Sequence, residues 1–223
     1  MSALTLGIDD NKLVAVGNGH FIHETVVEPF LNMQKAAKAD SVDIQICSSY
    51  RNFDKQLSIW NRKFGGELPL YSLSNTQLNH EELSDEQKVH AIMLWSALPG
   101  ASRHHWGTDF DVYDKASVEA INHDFQLVPS EYEPNGVCGR LNTWIVNNAE
   151  HFGFYFPYAK FVGGVAKEPW HMSFKKLAIS IENDFDIAEL YNHLERSELL
   201  GKETVLKMLP ELVYRYTLNK GKA

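Results

Sequence analysis

Two short stretches of this sequence combine side chains that can hold a metal ion and move a proton. The first is Ser102-Arg103-His104-His105-Trp106-Gly107-Thr108-Asp109-Phe110-Asp111. It sets a His and an Asp seven residues apart, with a glycine between them that permits a sharp bend. The second is Glu168-Pro169-Trp170-His171, which puts a carboxylate three residues before another His. Together they supply two imidazoles and one carboxylate for a metal, plus one spare carboxylate. A catalytic zinc takes three such protein ligands and keeps one position open. A spare carboxylate can take the proton of the attacking water. Spacing alone does not separate this set from unrelated histidines. The chain has 10 of them, and His20, His23, His80, His90, His123, His151 and His193 stand in unremarkable polar or helical contexts.

The elements that must position these residues are partly visible. Residues 1–22 read as short strands and turns around Gly7, Gly17 and Gly19. Residues 24–39 carry a rough helical stripe of Val26, Val27, Phe30, Leu31 and Met33, and Pro29 suits a first turn better than an interior. Val42–Cys47 alternates and is rich in β-branched residues, which predicts a strand. Asn52–Phe64 and Glu86–Leu98 read as helices, with a loop excursion over 65–85. A strand is predicted after Gly107, and the stretch 114–138 reads as irregular. Leu141–His151 reads as a helix stopped by Gly153. Phe154–Phe174 reads as a hairpin that turns near Gly163-Gly164, and the pattern from Lys175 onward is helical. Helices alternate with short strands in no regular βαβ rhythm. The expected class is α+β: a small, mostly antiparallel sheet carrying the site, flanked by helices, with a C-terminal helical extension.

Composition bounds the function. The chain has 223 residues, 44% of them hydrophobic and 22% charged, enough for an ordinary buried core. Lys and Arg number 21 against 29 Asp and Glu, a formal charge of -8. An acidic chain lacks the basic footprint that a phosphate backbone requires, so nucleic acid is not an expected partner. No apolar run approaches a membrane span. The start, MSALTLGIDDNKL, shows no basic segment followed by a long apolar one. Two cysteines, Cys47 and Cys138, do not suggest a disulfide scaffold. A cytoplasmic location follows as an expectation, with periplasmic or cell-wall action by another route left open.

With the motifs in place, the sequence resembles the D-alanyl-D-alanine carboxypeptidases of the vancomycin-resistance type. That group is allied to D-alanyl-D-alanine dipeptidases, phage peptidoglycan endopeptidases and the hedgehog signalling domain. The family pattern is S-x-H, a glycine three residues after the His and an Asp seven after it, followed later by E-x-W-H. Here these are Ser102, His104, Gly107 and Asp111, then Glu168, Trp170 and His171. An upstream element, S-x-Y-R with a Gln five residues on, appears as Ser48-Ser49-Tyr50-Arg51 and Gln56. The three elements occur in family order over roughly residues 25–175.

The resemblance implies a role for each position. His104, Asp111 and His171 would bind Zn2+, and Glu168 would be general base and then proton donor. Arg51 would bind the substrate carboxylate or the tetrahedral oxyanion. Ser102 and Gln56 would help hold the peptide end, and Trp170 would wall the pocket. One position departs from the pattern: the family usually has a small apolar residue two before the ligand Asp, and here it is Asp109. On a strand, residues i and i+2 share a face. Asp109 could orient a ligand, contact the substrate, compete as a ligand, or sit solvated at the rim.

The expected protein is a zinc-dependent D,D- or L,D-carboxypeptidase acting on peptidoglycan stem peptides or muropeptide fragments. A peptidoglycan endopeptidase or endolysin is the alternative enzyme. A non-catalytic zinc-containing binding module is the third reading, and Glu168 argues against it. Residues 1–175 form the expected catalytic domain, and 176–223 a helical extension packed on it.

Overall fold

The computed structural model describes residues 2–221. A helical turn, α1 (Ser2–Thr5), opens the chain where strands and turns were expected. A small antiparallel hairpin follows, β1 (Leu13–Ala15) with β2 (Phe21–His23), and its register pairs Leu13 with His23. Helix α2 (Glu24–Ala39) buries Val26, Phe30, Met33 and Ala37. Pro29 lies inside it as the sixth residue and not in the first turn. The missing N–H costs one helical hydrogen bond, and burial of the apolar stripe outweighs that loss.

The site rests on a four-stranded sheet, antiparallel throughout, of β3 (Ile44–Ser48), β4 (Asp109–Asp114), β5 (Phe154–Tyr155) and β6 (His171–Phe174) in the order β3-β4-β6-β5. Strand β3 (Ile44–Ser48) leads to α3 (Phe53–Phe64), whose first turn is capped by Asn52: its Oδ1 accepts from Lys55 N at 2.9 Å. The polar excursion that follows ends at α4 (Asp85–Trp95), which begins with a reciprocal Ser84–Gln87 capping box. Strand β4 (Asp109–Asp114) is central in the sheet. A short helix, α5 (Lys115–Ala120), occupies the start of the stretch read as irregular, with the Asp114 side chain accepting from Ser117 N at its cap. Helix α6 (Gly139–Asn148) continues as a 3-10 turn, Ala149–Phe152, that ends at left-handed Gly153. The hairpin expected over Phe154–Phe174 is reduced to its ends: β5 (Phe154–Tyr155) and β6 (His171–Phe174) pair antiparallel across a long connection without strand structure. Helices α7 (Lys175–Asn183), α8 (Ile187–Arg196) and α9 (Lys202–Leu212) complete the chain, followed by a π-helical turn at Val213–Thr217.

Two apolar clusters hold these elements. One packs α2 and α6 against the sheet through Phe30, Met33, Ile44, Phe110, Leu141, Ile145 and Met172. The other joins α3 and α4 to the C-terminal helices through Trp60, Ile92, Leu190, Leu194, Val205 and Leu209. Residues after 176 therefore share a core with the helix that begins just after Arg51. Among the described residues no helix is long and apolar enough to cross a membrane.

Candidate metal centre and substrate cavity

Strand alternation explains why the apolar and polar residues of β4 separate. Phe110 and Val112 face the α2 core, and Phe30 meets Phe110 edge-on at 5.0 Å between ring centroids. Asp109 and Asp111 share the opposite face. The register then pairs Asp111 with His171 and Asp109 with Ser173 across β6. Directly opposed residues in an antiparallel pair have adjacent side chains. An Asp and a His separated by 60 positions are thus brought together by sheet register.

His104 arrives from the 3-10 turn Arg103–Trp106, which ends at Gly107 with φ 66°. A Cβ at Gly107 would lie 2.6 Å from Leu13 Cδ2 and 2.9 Å from His23 N, so only glycine fits this turn against the hairpin. The turn is tied to the β3–α3 connection. Arg51 N donates to His104 O at 3.3 Å, and His105 Nδ1 meets Arg51 O. The connection itself follows an irregularity in β3 between Ile46 and Ser48, the kind of bulge that re-aims side chains beside a site.

The three donors converge. His171 Nδ1 lies 3.0 Å from Asp111 Oδ1, and His104 Nε2 lies 3.5 Å from Asp111 Oδ2. One ligand atom from each of the three lies within 4.8 Å of the others. Their tautomers fit a cation. His104 Nδ1 is 3.0 Å from the Ser49 carbonyl oxygen, which can only accept, so Nδ1 carries the hydrogen and Nε2 the lone pair. His171 Nε2 is 3.1 Å from Asp109 Oδ1, which leaves Nδ1 as the other lone pair. Two imidazole lone pairs aimed at one carboxylate form the N/O set that Zn2+ accepts.

The electrostatics set the two rings apart. Burial, then Arg51, lowers the His104 pKa to about 3, so the ring is neutral. Burial also lowers that of His171, but hydrogen bonds to Asp109 and Asp111 outweigh it and raise the pKa to about 9. Near neutral pH this ring therefore holds a hydrogen on each nitrogen, one facing each carboxylate, and a cation at Nδ1 would displace one of them. Burial pushes Asp111 up, yet the two histidines and Arg51 bring it below the carboxylate range. Glu168 Oε2 lies 3.8 Å from His171 Nδ1. Burial raises its pKa to about 8, against the pull of His171.

These groups open into a cavity of about 540 Å³. Arg51, Ser102, Glu168 and Trp170 line it as expected. Trp170 also packs on Tyr132 at 5.4 Å, so it is both wall and core. Two expected substrate contacts do not reach the cavity. Gln56 is fully buried and donates to Ala97 O at 2.8 Å and to Ser96 Oγ at 3.3 Å. Ser96 and Ala97 are cavity wall, so Gln56 holds the wall in place. Asp109 is fully buried behind His171, neither solvated nor in contact with the cavity.

Other wall residues were missed. Lys63 lines the cavity seven residues after Gln56, and that spacing puts both on one face of α3, a signal present in the sequence. Its ammonium makes no ion pair among the described residues. Burial, then Arg51, lowers its pKa to about 8. Tyr216 and Thr217 line the cavity from the C-terminal π-turn. That turn and the residues just after it grip the loop before Glu168: Arg215 Nε donates to Gly163 O at 2.6 Å, and Asn219 Nδ2 to Pro157 O at 3.0 Å. No local pattern announces this.

A small antiparallel sheet presenting Asp111 and His171, with His104 brought beside them by a 3-10 turn and Glu168 in the same cavity, has the layout of a mononuclear metallopeptidase. The chain belongs to the D-alanyl-D-alanine carboxypeptidase family VanY, whose model matches residues 19–177. A D-alanyl-D-alanine carboxypeptidase of Enterococcus faecalis is 26% identical over 166 residues, covering 73% of this chain and 51% of that protein. The chain spans about half the length of three of the curated relatives it matches. Two solved structures share the fold. One is a mutant of the vancomycin-resistance D,D-pentapeptidase VanY in complex with Zn(II), with TM-score 0.53 and 24% identity, over 77% of this chain and 84% of that one. The other is VanYB in complex with D-alanine-D-alanine, with TM-score 0.55 and 22% identity, over 82% and 90%.

Proposed function

We propose that this chain is a zinc-dependent carboxypeptidase that removes the C-terminal D-amino acid from peptidoglycan stem peptides or muropeptide fragments. The observation that carries this is the convergence of His104, Asp111 and His171 with Glu168 beside them in the lining of one cavity. Family membership and the Zn(II) and D-alanine-D-alanine complexes of the two neighbours support it. Zinc held by this set supplies Lewis acidity, which polarises the scissile carbonyl and makes water nucleophilic near neutral pH. Glu168 takes the proton of the attacking water at Oε2 and returns it to the departing amine. Arg51 binds the free carboxylate of the substrate or the oxyanion that forms. Ser102 and Trp170 wall the pocket. Residues 1–175 are the catalytic domain, and 176–223 a helical extension that completes its cavity.

The purified protein is expected to hold one zinc per chain, bound through His104, Asp111 and His171 at ~2.0–2.2 Å. It is also expected to release D-alanine from a D-alanyl-D-alanine pentapeptide and to lose that activity on chelation. Stoichiometric zinc on Asp109 in place of Asp111 would contradict the ligand set. Absence of release from tri-, tetra- and pentapeptide stems by zinc-loaded protein would sink the function.

Lys63 adds a second cation to the substrate cavity. Lys63→Met is expected to raise KM and lower kcat/KM about fivefold, on the order of 1 kcal/mol, the upper end for a partly screened ion pair. Unchanged kinetics would show that its charge does not reach the substrate.

A further inference from the structure

Asp109 stands where the family pattern has a small apolar residue, and the structure gives it four donors. Arg103 Nε lies 2.7 Å and His171 Nε2 3.1 Å from Oδ1; Thr108 Oγ1 lies 2.6 Å and Ser173 Oγ 2.9 Å from Oδ2. The carboxylate is 0% exposed and Arg103 is 3% exposed. Arg103 is itself fixed on every side. Its other nitrogens donate to Glu182 at 3.0 Å, Tyr155 at 2.7 Å and Ser173 at 3.1 Å, and its guanidinium lies 4.5 Å from the centre of the Trp106 ring. Taking two charges out of water costs several kcal/mol per ion before their attraction is counted. Packing alone would be met by a small apolar side chain. The bonded geometry points instead to His171: the one imidazole nitrogen not turned toward Asp111 is the one that meets Asp109.

We propose that Asp109, locked by Arg103, is a positioning residue that accepts the Nε2–H of His171 and holds Nδ1 toward the metal position. This rests on the zinc reading of the site. A carboxylate on the far nitrogen fixes the tautomer and ring orientation of a metal-binding His and makes it a more basic ligand. The chain of contacts runs further, from Asp109 through Arg103 to Glu182 on α7, which also pairs with Lys220 at 3.5 Å. The geometry of one metal ligand is therefore anchored in part by residues beyond 177, where the family match ends.

The test is zinc affinity, measured by chelator competition, together with the visible spectrum of the Co(II)-substituted protein. Arg103→Met combined with Asp109→Ala removes both buried charges at once and leaves neither unpaired. The folded double variant is expected to bind zinc ~10–100-fold more weakly. Its Co(II) bands are expected to shift, because the ligand field of His171 changes. If the double variant does not fold, Asp109→Asn carries the same test with a weaker acceptor of the same shape. Ser173→Ala, which removes one bond to Asp109 and one to Arg103 but leaves the Arg103–Asp109 and Asp109–His171 bonds in place, is expected to keep the wild-type spectrum. Wild-type zinc affinity and an unshifted Co(II) spectrum in the folded variant would overturn the proposal and leave the zinc reading standing. A wild-type protein that takes up no zinc would overturn both.

Discussion

Glu168→Gln is expected to lower kcat by ~10²–10⁴-fold, toward the upper end because one carboxylate serves as base and then as acid. The amide has the shape of the carboxylate but no proton affinity near neutral pH, so it can neither take the proton of water nor pass one to the leaving amine. The substitution is otherwise mild. Glu168 is 8% exposed, and its carboxylate accepts no hydrogen bond among the described residues. It is also not one of the three converging donors, so zinc content is expected to stay at one per chain. A buried carboxylate without a hydrogen-bond partner is costly, so the variant is expected to unfold at no lower temperature than wild type. Single-turnover kinetics on a pentapeptide, with metal analysis of the same sample, check this. Near wild-type turnover with intact metal would remove Glu168 from the reaction and require another group to take the proton of the attacking water.

Parts of this site were legible because ligand chemistry restricts residue type. A zinc site draws on His, Cys, Asp or Glu, and Ser102–Asp111 and Glu168–His171 carry three of those types at motif spacing. The strand read at Val42–Cys47, found at Ile44–Ser48, and the helix ending at Phe64 were legible because period-two and helical patterns survive where one face is buried. Other features depend on neighbours that no local pattern names. Pro29 disfavours a helix interior locally, yet α2 keeps it because Val26, Phe30, Met33 and Ala37 are all buried on one face. Asp109 left four roles open in the sequence. Only the placement of Arg103, Thr108, Ser173 and His171 around it distinguishes a buried anchor from a group in contact with substrate. Gln56 moves from substrate contact to wall support for the same reason: the carbonyl of Ala97, 41 residues away, reaches it first. Tyr216 and Thr217 enter the cavity through long-range docking of the C-terminal helices, and docking leaves no periodic trace at the residues it delivers.

Arg51 separates a carboxypeptidase from an endopeptidase. Its backbone is pinned on both sides by the turn that carries His104 and His105, so the guanidinium starts from a fixed point beside the metal site. It lines the cavity, is drawn toward Asp111 and Glu168, and its buried Nε has no hydrogen-bond partner. A guanidinium with free donors in a cavity can take a carboxylate through two parallel hydrogen bonds, which an ammonium cannot copy. If that carboxylate is the C-terminus of the substrate, Arg51→Ala is expected to cost ~2–4 kcal/mol in kcat/KM, the range for a lost charged hydrogen-bonding partner. Amidating the substrate C-terminus is expected to cost the wild-type enzyme a similar amount, because the missing charge is then on the other side of the same pair. Combining the variant with the amidated peptide is expected to add little, since one interaction is not lost twice. Lys63 sharpens the result: its ammonium remains in the variant, so any residual discrimination between free and amidated peptide reports on that second cation. The measurement is kcat/KM for wild type and Arg51→Ala on a free and an amidated pentapeptide. Additive losses would assign Arg51 to the oxyanion, with the carboxylate held elsewhere in the cavity. Equal cleavage of both peptides by the wild type would mean that no carboxylate is read at all, and cleavage within cross-linked chains would then be the better account of the cavity.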